Sequence, residues 1–296
     1  MPATLRFQGT AGGILLMLVG MFLFSLNDTL GKWLVAGFTV GQILLLRSIA
    51  ALIALSPMIL RSGGFLRTLK VERPWLHVLR VVLVVTEVAA FYWSVRYLPL
   101  ADVVAYYMAS PLFVAALSAP LLGERLGRAR WIAVVIGFIG VMIILRPSSQ
   151  AFSLPALVAL GGSLTFAFIM LITRSLRTTN GMTLIVWQTL ATLIAGAATV
   201  PFAWVPPTLV DALLLGSLGF AATVAHVCVN HSLKLAPAAV VVPYQYSLLL
   251  WGIVFGWTIF GDRPDPWMLA GALVVCLSGF YLLRLERAQA SAASPP

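Results

Sequence analysis

Charge is what this chain has least of. Only 9% of its 296 residues are Asp, Glu, Lys or Arg, and 61% are hydrophobic. A soluble domain carries about 25% charged residues, so this composition cannot clothe a water-facing surface without large apolar patches. A soluble enzyme, a nucleic-acid partner and a disordered chain are excluded on that ground. Cysteine is nearly absent: Cys228 and Cys276 both fall inside apolar runs, with no metal or redox spacing. Catalytic signatures are missing as well, with no phosphate-cradling Walker loop, no H-E-x-x-H helix and no G-x-S-x-G elbow. His226 and His231 are five residues apart, which puts them on different helix faces and makes a poor metal pair. The sequence therefore reads as a non-enzyme with no metal and no cofactor.

What is present is a succession of long apolar runs. A helix needs about 20 residues to cross the hydrocarbon of a bilayer. Ten runs fit, near 12–35, 39–60, 75–97, 100–122, 130–146, 152–175, 182–203, 208–233, 237–260 and 265–284. The first could pass for a signal peptide, but it continues without a cleavage site into Asn27 and Asp28 and is read as a retained span. Thirteen of the 19 basic residues lie in the tails and loops on the N-terminal side, among them Arg61, Arg67, Lys70 and Arg73. Four lie opposite (Lys32, Arg96, Arg146 and Arg263), and Arg47 and Arg80 sit inside spans. Cytoplasmic loops hold the basic excess, so both termini are expected in the cytoplasm of a multi-pass inner-membrane protein.

The chain also repeats itself. A shift of 138 positions lays 97–125 on 235–263 and pairs Pro99 with Pro237, Ala101 with Ala239, Val103–Val104 with Val241–Val242 and Tyr106 with Tyr244. Leu112 with Leu250, Gly123 with Gly261 and Arg125 with Arg263 complete eight identities in 29 pairs, where about three would arise by chance. Five spans followed by five related spans must be oppositely inserted, because five is odd. The expected fold is an all-α membrane protein of ten transmembrane helices in a 5+5 inverted-topology repeat, the plan of secondary transporters. The halves are set at 1–148 and 149–287, and 288–296 is expected to be a disordered cytoplasmic tail.

The stretch Tyr97-Leu-Pro-Leu-Ala101, Pro111, the Gly123-Glu124-Arg125 turn and the following Gly137 and Gly140 resemble the EamA-type repeat of the drug/metabolite transporter superfamily. The second copy, from Pro237 to Gly261-Asp262-Arg263, resembles it too. The resemblance implies a ten-helix bundle that exports or exchanges small metabolites without ATP. Aromatic density and length are most similar to the YddG-type amino-acid exporters. That implies export of small amphiphilic metabolites, with amino acids, including aromatic ones, as lead substrates. The alternatives are an exporter of drugs or other metabolites, with or without proton coupling, and a membrane scaffold subunit that transports nothing. The partners are a small-molecule substrate and the lipid bilayer, and no nucleic acid; one sequence leaves the oligomeric state open.

Charges inside spans mark candidate sites, since an unpaired one costs about 2.5–3.5 kcal/mol on insertion scales. Asp28 and Arg47 lie about 10 and 12 Å from the same membrane face at 1.5 Å per residue, and are expected to pair structurally. Glu87, at mid-span without a basic partner at its depth, is the candidate proton carrier; a neutral, hydrogen-bonded carboxyl is the bland alternative. Polar and aromatic residues at depth are the candidate substrate site: Tyr92, Trp93, Trp187, Gln188, His226 and Asn230. Tyr106 and Tyr107 in one half and Tyr244, Gln245 and Tyr246 in the other lie at mirrored depths and are expected to be opposite gates. Ordinary helix-contact tyrosines are the competing reading.

Overall fold

The computed structural model describes residues 3–122, 127–145, 153–176, 178–235 and 241–293. The Gly123–Arg125 turn, Arg146, Arg177, Pro237 and Ala239 lie outside the described residues. Every regular element among the described residues is helical. The first half contains α1 (Ala3–Val35), α2 (Val40–Arg61), the short α3 (Phe65–Leu69), α4 (Pro74–Tyr97), α5 (Leu100–Tyr107), α6 (Ser110–Leu122) and α7 (Arg128–Leu145). The second half contains α8 (Leu154–Ser175), α9 (Gly181–Thr199), α10 (Leu209–Leu235), α11 (Ser247–Phe260) and α12 (Pro266–Ala293). Two 3-10 segments, Val200–Phe202 and Val242–Tyr246, follow α9 and precede α11.

Among the described residues, seven segments are long and apolar enough to cross a membrane: Ala11–Val35, Val40–Arg61, Pro74–Tyr97, Leu100–Leu117, Leu154–Thr173, Gly181–Phe202 and Leu209–Ser232. Trp131–Ile144 and Pro266–Tyr281 are apolar but shorter. Large apolar side chains such as Leu60, Leu66, Leu209 and Leu213 point outward, as expected where hydrocarbon rather than water is the solvent. The chain is a multi-pass membrane protein.

Local chemistry sets the helix ends. Thr39 caps α2 by accepting the Gln42 amide, and Asn180 caps α9 by accepting the Met182 amide at 3.0 Å. Gly261 closes α11 in the left-handed region at φ 71°. Pro111 has no N–H to give the Tyr107 carbonyl, so the fourth apolar run is not one helix but α5 and α6, broken at Met108–Ala109. A 3-10 segment, Val242–Tyr246, with a proline in its first turn, leads into α11. The tail expected to be disordered from Ala288 instead stays helical to Ala293, because Arg287-Ala-Gln-Ala is a run of strong helix formers that extends α12.

Helices pack mainly between the halves: α1 on α10, α4 on α8, α2 on α9 and α10, α4 on α9, α1 on α11, α6 on α8, α5 on α11 and α7 on α12. By contrast, α1 and α2 barely touch. Glycines allow the closest crossings. A Cβ on Gly219 of α10 would run into the Arg47 carbonyl of α2, and one on Gly140 of α7 would lie 2.9 Å from the Gly271 carbonyl of α12. Small polar contacts add to this, with Ser48 and Thr192 hydroxyls 2.8 Å apart between α2 and α9.

Candidate functional site

The mid-depth polar residues of α1, α2, α4 and α5 converge around Tyr92. The edge of its ring comes against α1 at Gly31, where a Cβ would run into the ring carbon Cε1, and it is 1% exposed. Arg47 Nη1 donates to the Tyr92 hydroxyl at 2.7 Å, with the guanidinium carbon 5.5 Å from the ring centroid. The Tyr107 hydroxyl donates to the backbone carbonyl of Glu87 at 3.2 Å, and Gly162 of α8 leaves room for that hydroxyl. Phe91 meets Tyr107 edge-on at 5.4 Å and Tyr92 at 5.8 Å. Across the cluster, His226 of α10 stands edge-on to Phe24 of α1 at 4.8 Å. Asp28, Glu87 and His226 all lie within the electrostatic reach of Arg47. One guanidinium and two acidic side chains thus lie within electrostatic range of one another beside an aromatic frame.

The direct Asp28–Arg47 pair expected from equal depth is not the contact that forms. Asp28 takes its hydrogen bond from Asn27 Nδ2 at 3.2 Å, while Arg47 takes Tyr92. Depth along an axis says nothing about azimuth, and helices adjacent in sequence are here not neighbours in space. Arg47 of α2 also lies within electrostatic range of Glu87.

The other candidate residues divide. Successive helix positions differ by about 100°, so Tyr92 points inward and Trp93 points away, its ring tilted against Tyr97 at 4.9 Å. Asn230 is exposed, one turn beyond His226. Trp187 and Gln188 of α9 are grouped not with the centre but with His77 and Arg80 of α4: Gln188 Oε1 accepts from Arg80, and Trp187 lies 5.5 Å from His77. Of the expected gates, Tyr106 is buried and Tyr107 borders the central cluster. Tyr244 is exposed, Gln245 is half-buried, and Tyr246 packs on Phe280 at 5.1 Å and against Gly279 of α12.

Sequence reasoning passed over His77 and Arg80. The signal for Arg80 was the one used for Arg47, a basic residue inside a span. It also gave no hint that Lys32 of α1 bonds Asp262, after α11, at 2.6 Å while lying over the Phe260 ring. Among the described residues, no group of three or more His, Cys, Asp or Glu side chains is placed to hold a metal ion.

The sequence model of the EamA-like transporter family matches residues 11–146 and 153–284. A riboflavin transporter of Rhizobium johnstonii is 30% identical over 278 residues, covering 93% of this chain and 91% of the relative. An S-adenosylmethionine uptake transporter of Rickettsia bellii is 24% identical, with 91% and 94% covered. A pseudopaline exporter of Pseudomonas aeruginosa is 26% identical, with 93% and 97% covered. One crystal structure superposes with a TM-score of 0.66 at 14% identity, over 94% of this chain and 99% of that one, which is a likeness of fold alone.

Proposed function

The chain belongs to the EamA-like transporter family, and on that premise we propose that it is a secondary transporter of the inner membrane that moves a small amphiphilic metabolite outward by alternating access. The ten apolar runs are then ten spans in two oppositely inserted halves, 1–148 and 149–287. The packing pattern supports this. Exchanging α1 with α8, α2 with α9, α4 with α10, α5–α6 with α11 and α7 with α12 turns the α1–α10 contact into α8–α4 and the α2–α10 contact into α9–α4. The α2–α9, α5–α11 and α7–α12 contacts map onto themselves. Both termini are cytoplasmic in this reading, by the basic-residue count.

One observation carries the substrate reading: Asp28, Arg47 and Glu87 lie within electrostatic range of one another, beside Phe24, Phe91, Tyr92, Tyr107 and His226. Groups of both signs beside aromatic faces suit a zwitterion with an apolar side chain, so amino acids, aromatic ones included, remain the lead substrates. Glu87 is the proton carrier in a coupled cycle. The break at Met108–Ala109 and the 3-10 segment Val242–Tyr246 are the parts that rearrange as the halves rock. Radiolabelled phenylalanine counterflow in proteoliposomes, with and without a pH gradient, tests this; the expected result is saturable exchange that unlabelled amino acids compete away. The 30% identity to a riboflavin transporter sets the second arm. Counterflow of riboflavin but of no amino acid would replace the substrate reading, and no counterflow of either would remove it.

A further inference from the structure

Seven residues from Glu87 toward the Pro74 end of α4, about 10 Å along the axis, the structure buries a second polar group that the central cluster does not use. His77 and Arg80 are 1% and 7% exposed. Arg80 donates to three neutral acceptors: Nε to Thr173 Oγ1 at 2.8 Å, Nη1 to the Leu184 carbonyl at 3.3 Å and Nη2 to Gln188 Oε1 at 3.2 Å. Neither ring nitrogen of His77 has a hydrogen-bond partner, nor does Nε1 of Trp187. One N–H of His77 and the indole N–H of Trp187 thus lack an acceptor beside a guanidinium that has only neutral ones, and buried polar groups ordinarily find partners.

A way in lies at the same end. A groove of about 250 Å³ is lined by Arg67, Lys70, Glu72, Thr179, Asn180 and Thr183. Its two cations against one carboxylate draw anions. Thr183 directly precedes Leu184, which holds Arg80, and stands one helical turn from Trp187.

We propose that His77, Arg80 and Trp187 form a carboxylate-receiving site on the transport path, entered from the Arg67–Lys70 groove. The site shown is its shut form, with the guanidinium held on α8 and α9. When α4 parts from those helices, Arg80 exchanges three neutral acceptors for a carboxylate that it can grip with two parallel N–H bonds, and His77 and Trp187 supply further N–H groups. Release leaves no buried acid unpaired, because none of the three acceptors is charged. The inference rests on the transporter reading for its place in a cycle, but its binding test does not.

The chain has three histidines, so imidazole 15N resonances in lipid nanodiscs can be assigned with His77→Asn. Sodium benzoate is the probe, against benzamide and sodium chloride, the latter at equal ionic strength. Benzoate should move the His77 resonance saturably and leave His231 in place, while benzamide and chloride do neither. Arg80→Gln should weaken benzoate binding about tenfold or more, the loss expected for a charge-assisted bond. Arg80→Lys should retain a weaker response, because an ammonium cannot fork onto a carboxylate. Equal shifts with chloride, shifts with benzamide, or unchanged affinity in Arg80→Gln would each overturn the site. A flat His77 titration beside working counterflow removes this site alone; benzoate binding without any counterflow removes the transporter reading alone.

Discussion

Tyr92→Phe is the most direct test of the central cluster. The substitution deletes one oxygen, the acceptor of Arg47 Nη1 at 2.7 Å, and leaves the ring against Gly31 with the guanidinium still 5.5 Å from its centroid. A hydrogen bond to a charged group contributes about 1.5–3 kcal/mol. Arg47 is only half-buried and can recover part of that from water, which puts the expected loss near the lower end, about 1.5 kcal/mol. The remaining cation–ring contact, about 0.5–2 kcal/mol, should survive in Phe and vanish in Tyr92→Leu. Reversible unfolding in mixed detergent micelles, read by circular dichroism, measures both steps. A cycle with Arg47→Met isolates the pair, and its coupling energy should be about 1.5 kcal/mol. Stability of Tyr92→Phe equal to the wild type, or a coupling energy near zero, would refute a structural role for this contact.

Gly219→Ala should destabilise by about 1–3 kcal/mol, since its methyl would meet the Arg47 carbonyl with no flexible side chain to give way. Gly216→Ala, on the same helix and 3.6 Å from the Ala50 methyl, should be neutral in the same unfolding assay; equal effects would contradict the α2–α10 packing. Lys32→Ala and Asp262→Ala should each cost about 1 kcal/mol or less, since both side chains touch solvent. The exchanged pair Lys32→Asp with Asp262→Lys should recover most of it, and a double exchange worse than either single change would deny the ion pair. Glu87→Gln should abolish the pH-gradient dependence of transport and leave exchange intact, and an unchanged gradient response would return Glu87 to a structural role.

Composition alone placed the protein in a bilayer, because hydrophobicity and scarce charge are sums over residues and need no geometry. Helix positions followed from run length, and the observed ends of α2, α4 and α8 lie within two residues of those runs. The break at Met108–Ala109 was half visible: Pro111 announced an interruption, and the backbone placed it where the missing N–H falls. The polar residues at depth were likewise legible one at a time. Asp28, Arg47, Glu87, Tyr92 and His226 each stood out as costly in hydrocarbon.

Which of them meet was decided only by the tertiary structure. The sequence ordered α1 beside α2, whereas packing sets α1 on α10 and α2 on α9, so Arg47 finds Tyr92 rather than Asp28. Trp187 and Gln188 likewise went to His77 and Arg80 rather than to the centre. Rise per residue fixes depth, and any chain carries that number in its spacing. Azimuth and partner depend on how the apolar helices share one interior, where small residues such as Gly31, Gly162 and Gly219 decide which backbones close on which side chains.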